Sequence, residues 1–415
     1  MKKKNVDIFI SGAGPAGLLA SLSFASLGYS VFCVDPKKPV TQVNDVGADL
    51  RTTAFLQPAK SFMESLGLWE KLEPHAIPMD IMRIIDAEGD KWPPREIITK
   101  DFLASDISEL PFGWNIPNWL LRRTLMEKAN NYNNLELGFG LTTSSFIRRD
   151  DAAFVYLDDG SQIKSKLVIG ADGRDSLIRS KSQIQVSKTE FSQNALTFIV
   201  THERPHQNAS IEIHRSGGPF TFVPMADFEG KPCSSVVWME SKKNVERLLS
   251  LEVEQFEEEI YDRSCSHLGK LKIISHITDW PIISQIAKQL TAKRTALIAE
   301  AAHVLPPIGA QGLNMSVADI NALYELAKDT PRLSEVQEIL DKYDRSRRMD
   351  VNARVLGVNT LNEVSKSSLP LAQKSRALGI NFLHSSPKIR HGIMKLGLGL
   401  KERNLERSQA IEPDL

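Results

Sequence analysis

Apolar positions open the chain in three short runs: Val6, Ile8, Phe9 and Ile10, then Leu18 to Leu27, then Val31 to Val34. Their lengths predict strand, helix, strand. The first strand runs into Ser11-Gly12-Ala13-Gly14-Pro15-Ala16-Gly17, and the second ends in Asp35. A second strand-to-helix passage is predicted at 167–179, LVIGADGRDSLIR. There an apolar strand ends at Gly170, Asp172 follows, Gly173 permits a turn that an L-residue resists, and Ser176 caps the next helix. A third passage falls at 296–323, where an apolar strand meets Glu300, a Pro-rich turn and a helix opening on Gly312 and Asn314. Strand-like character marks 81–98, with a turn at Ala87-Glu88-Gly89-Asp90, and 195–278, where TFIV, SIEIH, FTFVP and SSVVWM are separated by Gly/Pro turns. Val245 to His267 reads as one helix with Glu on one face and Leu, Phe and Ile on the other, and the pattern after Ser334 is helical to the end.

The glycine run has the spacing G-x-G-x-x-G between a strand and a helix, with an acid about twenty residues on, as a dinucleotide fingerprint requires. In that reading Gly12 makes the tight turn, Gly14 lets backbone approach a pyrophosphate, and Gly17 packs helix on strand. Asp35 is placed to accept from an adenosine ribose. Asp172 suits either a cofactor acceptor or a local capping role. The helix start at Gly312 to Asn314 presents unpaired N–H groups and a partial positive charge. That geometry suits an anionic or electron-rich ligand edge, although an ordinary strand-to-helix turn has the same local pattern.

Together and in this order, the three segments resemble the class A flavoprotein monooxygenases, and within them the ubiquinone-biosynthesis hydroxylases of polyprenylated phenols. Ala301, Ala302, His303, Pro307, Gln311, Gly312, Leu313 and Asn314 keep that family's late motif. The likeness extends to Arg51 in ADLRTTAF, Asn118 and Arg122 in IPNWLLRRTL, Trp280-Pro281, YDRSRRMD near Tyr343, and Met394 with Gly397. It runs from about Asp7 to about Gly399. It departs where the family has Gly-Asp and Gly-Gln-Gly: this chain has Ala299-Glu300 and Ala310-Gln311-Gly312. Asn118 likewise stands where the family often has Gln.

The resemblance implies an α/β fold: a Rossmann-like FAD-binding domain of the para-hydroxybenzoate hydroxylase type, an inserted mixed β-sheet substrate domain and C-terminal helices. The expected division is 1–75, 105–185 and 285–330 for the FAD domain, 76–104 and 186–284 for the substrate domain, and 331–415 for the helical region. The cofactor-binding residues carried over are Gly12, Gly14, Ala16, Gly17, Asp35, Arg51, Asn118, Arg122, Asp172, Gly173, Glu300, Pro307, Gly312, Leu313 and Asn314. Glu300 stands where the family Asp holds the ribitol chain. The implied activity is ring hydroxylation of a polyprenylated phenol by FAD and O₂ through a C4a-hydroperoxyflavin, with NAD(P)H as reductant. No general base is identifiable, and His303 belongs to the structural turn. The same motifs permit a hydroxylase of a non-prenylated aromatic, or a non-catalytic scaffold subunit of a ubiquinone-biosynthesis complex.

Composition narrows the alternatives. Over 415 residues, 51 basic side chains balance 51 acidic ones, so no global field attracts nucleic acid. Cys33, Cys233 and Cys265 have neither disulfide nor metal spacing, which fits a reduced cytoplasmic setting. His202 and His206 are spaced like ligands, but Pro205 breaks helical geometry and they read as surface strand-end residues. There is no P-loop, no G-x-S-x-G elbow and no second G-x-G-x-x-G, which disfavours a separate nicotinamide domain. Neither a signal peptide nor a spanning run is evident. From Ser365 to Lys401 there is no acid, while Lys366, Lys374, Arg376, Lys388, Arg390, Lys395 and Lys401 alternate with Leu369, Leu371, Leu378, Phe382, Ile393, Met394, Leu396 and other apolar residues. Such a segment suits peripheral contact with the inner face of an anionic membrane, or a helical cap with a solvated basic edge.

Overall fold

The strand–helix–strand opening folds as its apolar pattern demands, in a computed structural model that describes residues 2–88, 95–330, 333, 335–367 and 370–400. Strands β1 (Lys3–Ser11) and β2 (Val31–Asp35) pair in parallel, joined by helix α1 (Pro15–Ser26). Every residue of α1 from Ala16 to Ala25 is buried. A helix apolar on all sides has to be enclosed by other elements, and α1 contacts β1, β2, a later helix α4 (Asn118–Ala129) and a still later α8 (Gln311–Lys328).

Three sheets follow. The first runs β18 (Thr291–Ala292), β19 (Thr295–Leu297), β11 (Gln162–Gly170), β1, β2, β8 (Leu135–Phe139). Antiparallel β9 (Thr143–Arg148) and β10 (Ala153–Leu157) attach through β11. β1, β2, β8, β11 and β19 pair in parallel, and their C-terminal ends carry the Gly12, Asp172 and Glu300 loops. Binding crevices of such sheets lie at that edge.

A second, nine-stranded sheet runs β20 (His303–Val304), β17 (Thr278–Ala287), β12 (Val186–His202), β15 (Lys231–Ser241), β14 (Pro219–Phe228), β13 (Ala209–His214), β5 (Ile81–Glu88), β6 (Arg95–Leu103), with β16 (Leu271–Ile273) on β12. β3 (Thr52–Leu56), β7 (Gly113–Pro117) and β4 (Ile77–Met79) form a small third sheet. Helices α2 (Gln57–Ser65), α3 (Trp69–Leu72) and α5 (Leu177–Lys181) complete the region around the first sheet. One face of the large sheet is a dry core: Phe220, Phe222 and Val236 are fully buried, and Trp238 and Phe198 nearly so. Helices α6 (Lys242–Leu249) and α7 (Val253–Arg263) contribute Val245, Leu248, Phe256 and Ile260 to it.

Two expectations are corrected. The helix expected over Val245 to His267 is two helices, because the chain breaks after Leu249 and restarts at Glu252, whose N–H is capped by the Gln255 side chain at 3.4 Å. His202 is buried, not a surface residue. Its ring bonds Arg204 O at 2.7 Å and Ser234 Oγ at 2.9 Å, and His206 bonds Met225 O at 3.0 Å. Among the described residues no His, Cys, Asp and Glu group is arranged to hold a metal. The turn residues Gly89 and Asp90, and Leu369 and Lys401 of the basic segment, lie outside the described residues.

The C-terminal helices are α9 (Val336–Lys366), α10 (Pro370–Ser385) and α11 (Pro387–Leu398). α9 crosses β14 and β17, and α10 packs on β5 and β6. Arg376, expected as a surface charge, is buried against fully buried Asp86 of β5 and fastens α10 to the sheet. Arg390 pairs with Asp106 at 3.2 Å. Lys374 and Lys388 remain exposed. No helix among the described residues is long and apolar enough to cross a membrane.

Candidate cofactor and active site

The glycine loop is shaped by close backbone approach. A Cβ on Gly17 would stand 1.9 Å from Gly12 O, and one on Gly12 would stand 2.3 Å from Ala171 O. The loop therefore seats on the Asp172 segment only with glycine at both positions. Gly14 differs: it is the N-cap of α1, and a Cβ there meets nothing within 4 Å. Its outward face is open, the shape a pyrophosphate path requires. The start of α1 has no side-chain cap and no acid in its first turn, so its N–H groups are available to an anion.

The start of α8 has the same character. It is capped by no side chain and carries no acid in its first turn. Gly312 is exposed, and a Cβ there would also meet nothing. Pro15 and Leu313 line one small internal void together with Phe55, Leu121 and Leu125, which sets the two helix starts beside α4. Asn314 does not point outward. Its side chain accepts from Leu56 N at 2.9 Å and donates to Ala54 O at 2.7 Å and Ala310 O at 2.6 Å, stapling α8 to β3. What this helix start offers a ligand is backbone N–H from Gly312 onward.

The two alanines that replace family glycines both sit in the left-handed region, Ala299 at φ 56° and Ala310 at φ 55°. The chain keeps the glycine backbone and carries a Cβ in it, at a cost of roughly 1 kcal/mol each.

Arg51, Asn118 and Arg122 converge on a residue that the sequence reading passed over. Asp49 accepts from Arg51 Nε at 2.7 Å and Nη2 at 2.8 Å, from Arg122 Nη2 at 3.0 Å, and from Asn118 Nδ2 at 3.2 Å. Burial works against ionising Asp49, yet these partners hold its carboxyl below the usual value. The signal was present in ADLR: an acid two residues from the arginine can grip it. Arg51 also stacks on Trp280 at 5.1 Å, joining this cluster to the large sheet. The half-exposed Glu300 lies within electrostatic reach of Arg51 and 3.5 Å from Arg174.

Asp35 gives one carboxylate oxygen to Ala13 N and the other to Lys37 N, each at 2.8 Å. Asp172 accepts from Ser176 Oγ and from Ile178 N at 3.1 Å, and burial raises its carboxyl. Ser176 caps α5, as expected. Both carboxylates thus brace the loops they sit in, with lone pairs to spare. Pro307 is half-buried in the turn before α8, and Gly173 takes φ 80° with open space at its Cβ.

His303 has a structural setting. Its Nε2 is 2.6 Å from Asp319 Oδ2, and Arg347 Nε donates to Asp319 Oδ1 at 2.9 Å, all three side chains being buried. Burial opposes the Asp319 charge, but His303 and Arg347 hold its carboxyl below the usual value. This triad ties the late turn to α8 and α9.

The donor set fits FAD: two uncapped helix starts, an open pyrophosphate path over Gly14, and a basic cluster whose buried carboxylate, Asp49, is already neutralised. A model of the FAD binding domain matches residues 5–356. The ubiquinone hydroxylase UbiL of Rhodospirillum rubrum is 26% identical over 400 residues, covering 95% of this chain and 90% of that one. The 3-demethoxyubiquinol 3-hydroxylase of Escherichia coli is 24% identical, covering 96% and 100%. Among solved structures, p-nitrophenol 4-monooxygenase of Pseudomonas putida superposes with a TM-score of 0.75 at 19% identity, covering 96% of this chain and 99% of that one. That likeness establishes the fold as the one expected for the family. With most of its length matched by that model, the chain belongs to the FAD binding domain family.

Proposed function

We propose that this chain is an FAD-dependent monooxygenase that hydroxylates the aromatic ring of a polyprenylated phenol in ubiquinone biosynthesis, with NAD(P)H as reductant. The observation that carries the reading is that the uncapped α1 and α8 starts both lie beside α4, the helix that brings Arg122 to Asp49, in a chain whose relatives over nearly its full length include ubiquinone hydroxylases. FAD, when bound, supplies the redox chemistry that activates dioxygen; the protein binds, orients and shields it. The pyrophosphate would pass over Gly14 in the loop that Gly12 and Gly17 shape and Ala16 follows, Asp35 would take the ribose, and Glu300 would take the ribitol chain, reaching one methylene further than Asp. The N–H groups of Gly312, Leu313 and Asn314 would hold negative charge on the bound flavin, contributing about 0.3–2 kcal/mol. Pro307 and the large sheet keep water out.

The segments 1–75, 105–185 and 285–330 form the cofactor domain in this account, 76–104 and 186–284 the substrate domain, and the chain from 331 onward a helical cover. The cover also supports contact with the membrane that dissolves a prenylated substrate. Leu371, Leu378 and Phe382 form one exposed stripe on α10, and Ile393 and Leu396 are exposed on α11, with Lys374 and Lys388 exposed beside them. Vesicles containing anionic lipid should carry the protein upward in a flotation gradient and neutral vesicles should not; protein left in solution by both would remove the membrane contact.

Turnover decides the activity. With 2-geranylphenol, NAD(P)H and isotopically labelled dioxygen, one labelled oxygen should enter the ring. Peroxide without labelled phenol would set this function aside.

A further inference from the structure

The face of the large sheet opposite its dry core is not closed. Register places Glu212, Thr221 and Val237 in one row on that face, with Val223 one step away. All four are half-buried in the middle of nine strands, whereas Phe220, Phe222 and Val236 behind them are fully buried. Their partial exposure leaves this part of the face accessible between the sheet and the helices over it, while Thr197 at the end of the row is buried. This part of the face borders the cofactor end of the molecule. Ile84, paired with Glu212 across β5 and β13, packs with Met82 against Leu56, Phe112, Met394 and Leu398, and Leu56 N is held by Asn314 at the start of α8.

One acid–base pair lies on this face. In SIEIH the alternation of a strand puts Glu212 and His214 on the same side. His214 Nε2 is 2.9 Å from Glu212 Oε1, with the side chains 9% and 14% exposed. His214 Nδ1 is buried and has no partner among the described residues. A buried imidazole with one nitrogen on a carboxylate and the other unused is destabilising, which points to a role other than stability. The other charged groups placed on or over that face include Asp86, Lys100 and His384, and Asp86 Oδ2 is itself buried without a partner among the described residues. Asp86, paired with His214 in register, is held by Arg376 of α10; Lys100 stands beyond Ile84; and His384 of α10 bonds Asp101 O.

Resting on the phenol-hydroxylase reading above, we propose that Glu212 is the general base that takes the hydroxyl proton of the substrate phenol, and that His214 positions it. The phenolic O–H bond breaks and its proton goes to the free oxygen of Glu212. The electron pair left on the phenolic oxygen moves into the ring and makes the carbon to be oxygenated more nucleophilic. The oxygen atom comes from dioxygen under the proposed activity. Glu212 returns its proton to the phenolic oxygen as the ring releases its C–H proton to solvent and regains aromaticity. Positioned bases of this kind contribute about 10²–10⁴-fold.

The first test uses oxidised holoenzyme and 4-nitrophenol, which absorbs visible light only as the phenolate. A carboxylate at the hydroxyl favours the neutral phenol, so the bound ligand should ionise at higher pH than the free one, and at lower pH in Glu212→Gln than in the wild type. A bound ligand that titrates like the free one in the wild type, or identically in both proteins, would overturn the assignment. The wild-type titration stands even where the variant fails to fold. With 2-geranylphenol and NAD(P)H, Glu212→Gln should lose about 10²-fold or more in ring hydroxylation while flavin reduction continues and peroxide replaces product. Equal hydroxylation with an unchanged pH profile would refute the base. A wild type that makes no hydroxylated phenol would instead refute the function, leaving the nitrophenol titration to judge Glu212.

Discussion

Ala299 and Ala310 show what one methyl group does at a left-handed bend. Both hold φ near 55°, where an L-residue is strained and glycine is not. The unfolded-state entropy of glycine offsets part of the relief, so Ala299→Gly and Ala310→Gly should each stabilise the protein by about 0.5 kcal/mol. Urea unfolding measures it, and a loss of stability in either variant would mean the left-handed bend is wrong. The sequence marked these positions as departures from a glycine pattern, and the backbone explains why glycine suits them. Asp49 was not legible in the same way. Its importance comes from two cations and an amide delivered by two separate segments, and only the folded chain brings Asn118 and Arg122 to it. Glu212 and His214 lay between the two cases: strand alternation pairs them on one face, but which face stays open depends on α9 and α10.

At the scale of elements, the loop–helix units were readable because each imposes a local requirement. Gly12 and Gly17 are forced by backbone contact, and Gly14 is left open for a ligand. Gly14→Val should therefore leave unfolding within about 1 kcal/mol of the wild type while abolishing FAD retention. Absorbance of the purified variant checks it; a yellow protein at full occupancy would show that the pyrophosphate runs elsewhere. Element boundaries were less legible. The break between α6 and α7 comes from capping at Glu252, which a run of Glu and apolar residues conceals. The C-terminal basic segment was misread at Arg376, because its partner Asp86 is far away in sequence and reaches it only through the packing of α10 on β5.

The whole molecule carries buried and partly buried carboxylates whose ionisation is supported by neighbours. Burial opposes the charges of Asp49, Asp319 and Asp350, but Arg51 and Arg122, His303 and Arg347, and Arg354 and Arg347 respectively keep these carboxyls below their usual values. An acid depressed by folding stabilises the native state above its unfolded value, near 3.9 for Asp, and loses that contribution as pH falls through the folded value. Stability should thus hold down to about pH 4 and decline below it. Asp172, raised by burial, works in the opposite direction. Asp319→Asn should cost about 3–5 kcal/mol at neutral pH and flatten the acid limb, since it takes from buried His303 and Arg347 the carboxylate they share, leaving Arg347 only Asp350. Unfolding midpoints across acid pH would show this, and a variant with the wild-type profile would exclude the triad as its source.

The central claim is that this chain holds FAD and uses it to hydroxylate a phenol. The most direct measurement is the absorption spectrum of the purified protein, followed in rapid mixing with NAD(P)H with and without 2-geranylphenol. Flavin bands that bleach faster when the phenol is present are the predicted result. A protein that stays colourless after incubation with FAD would contradict it.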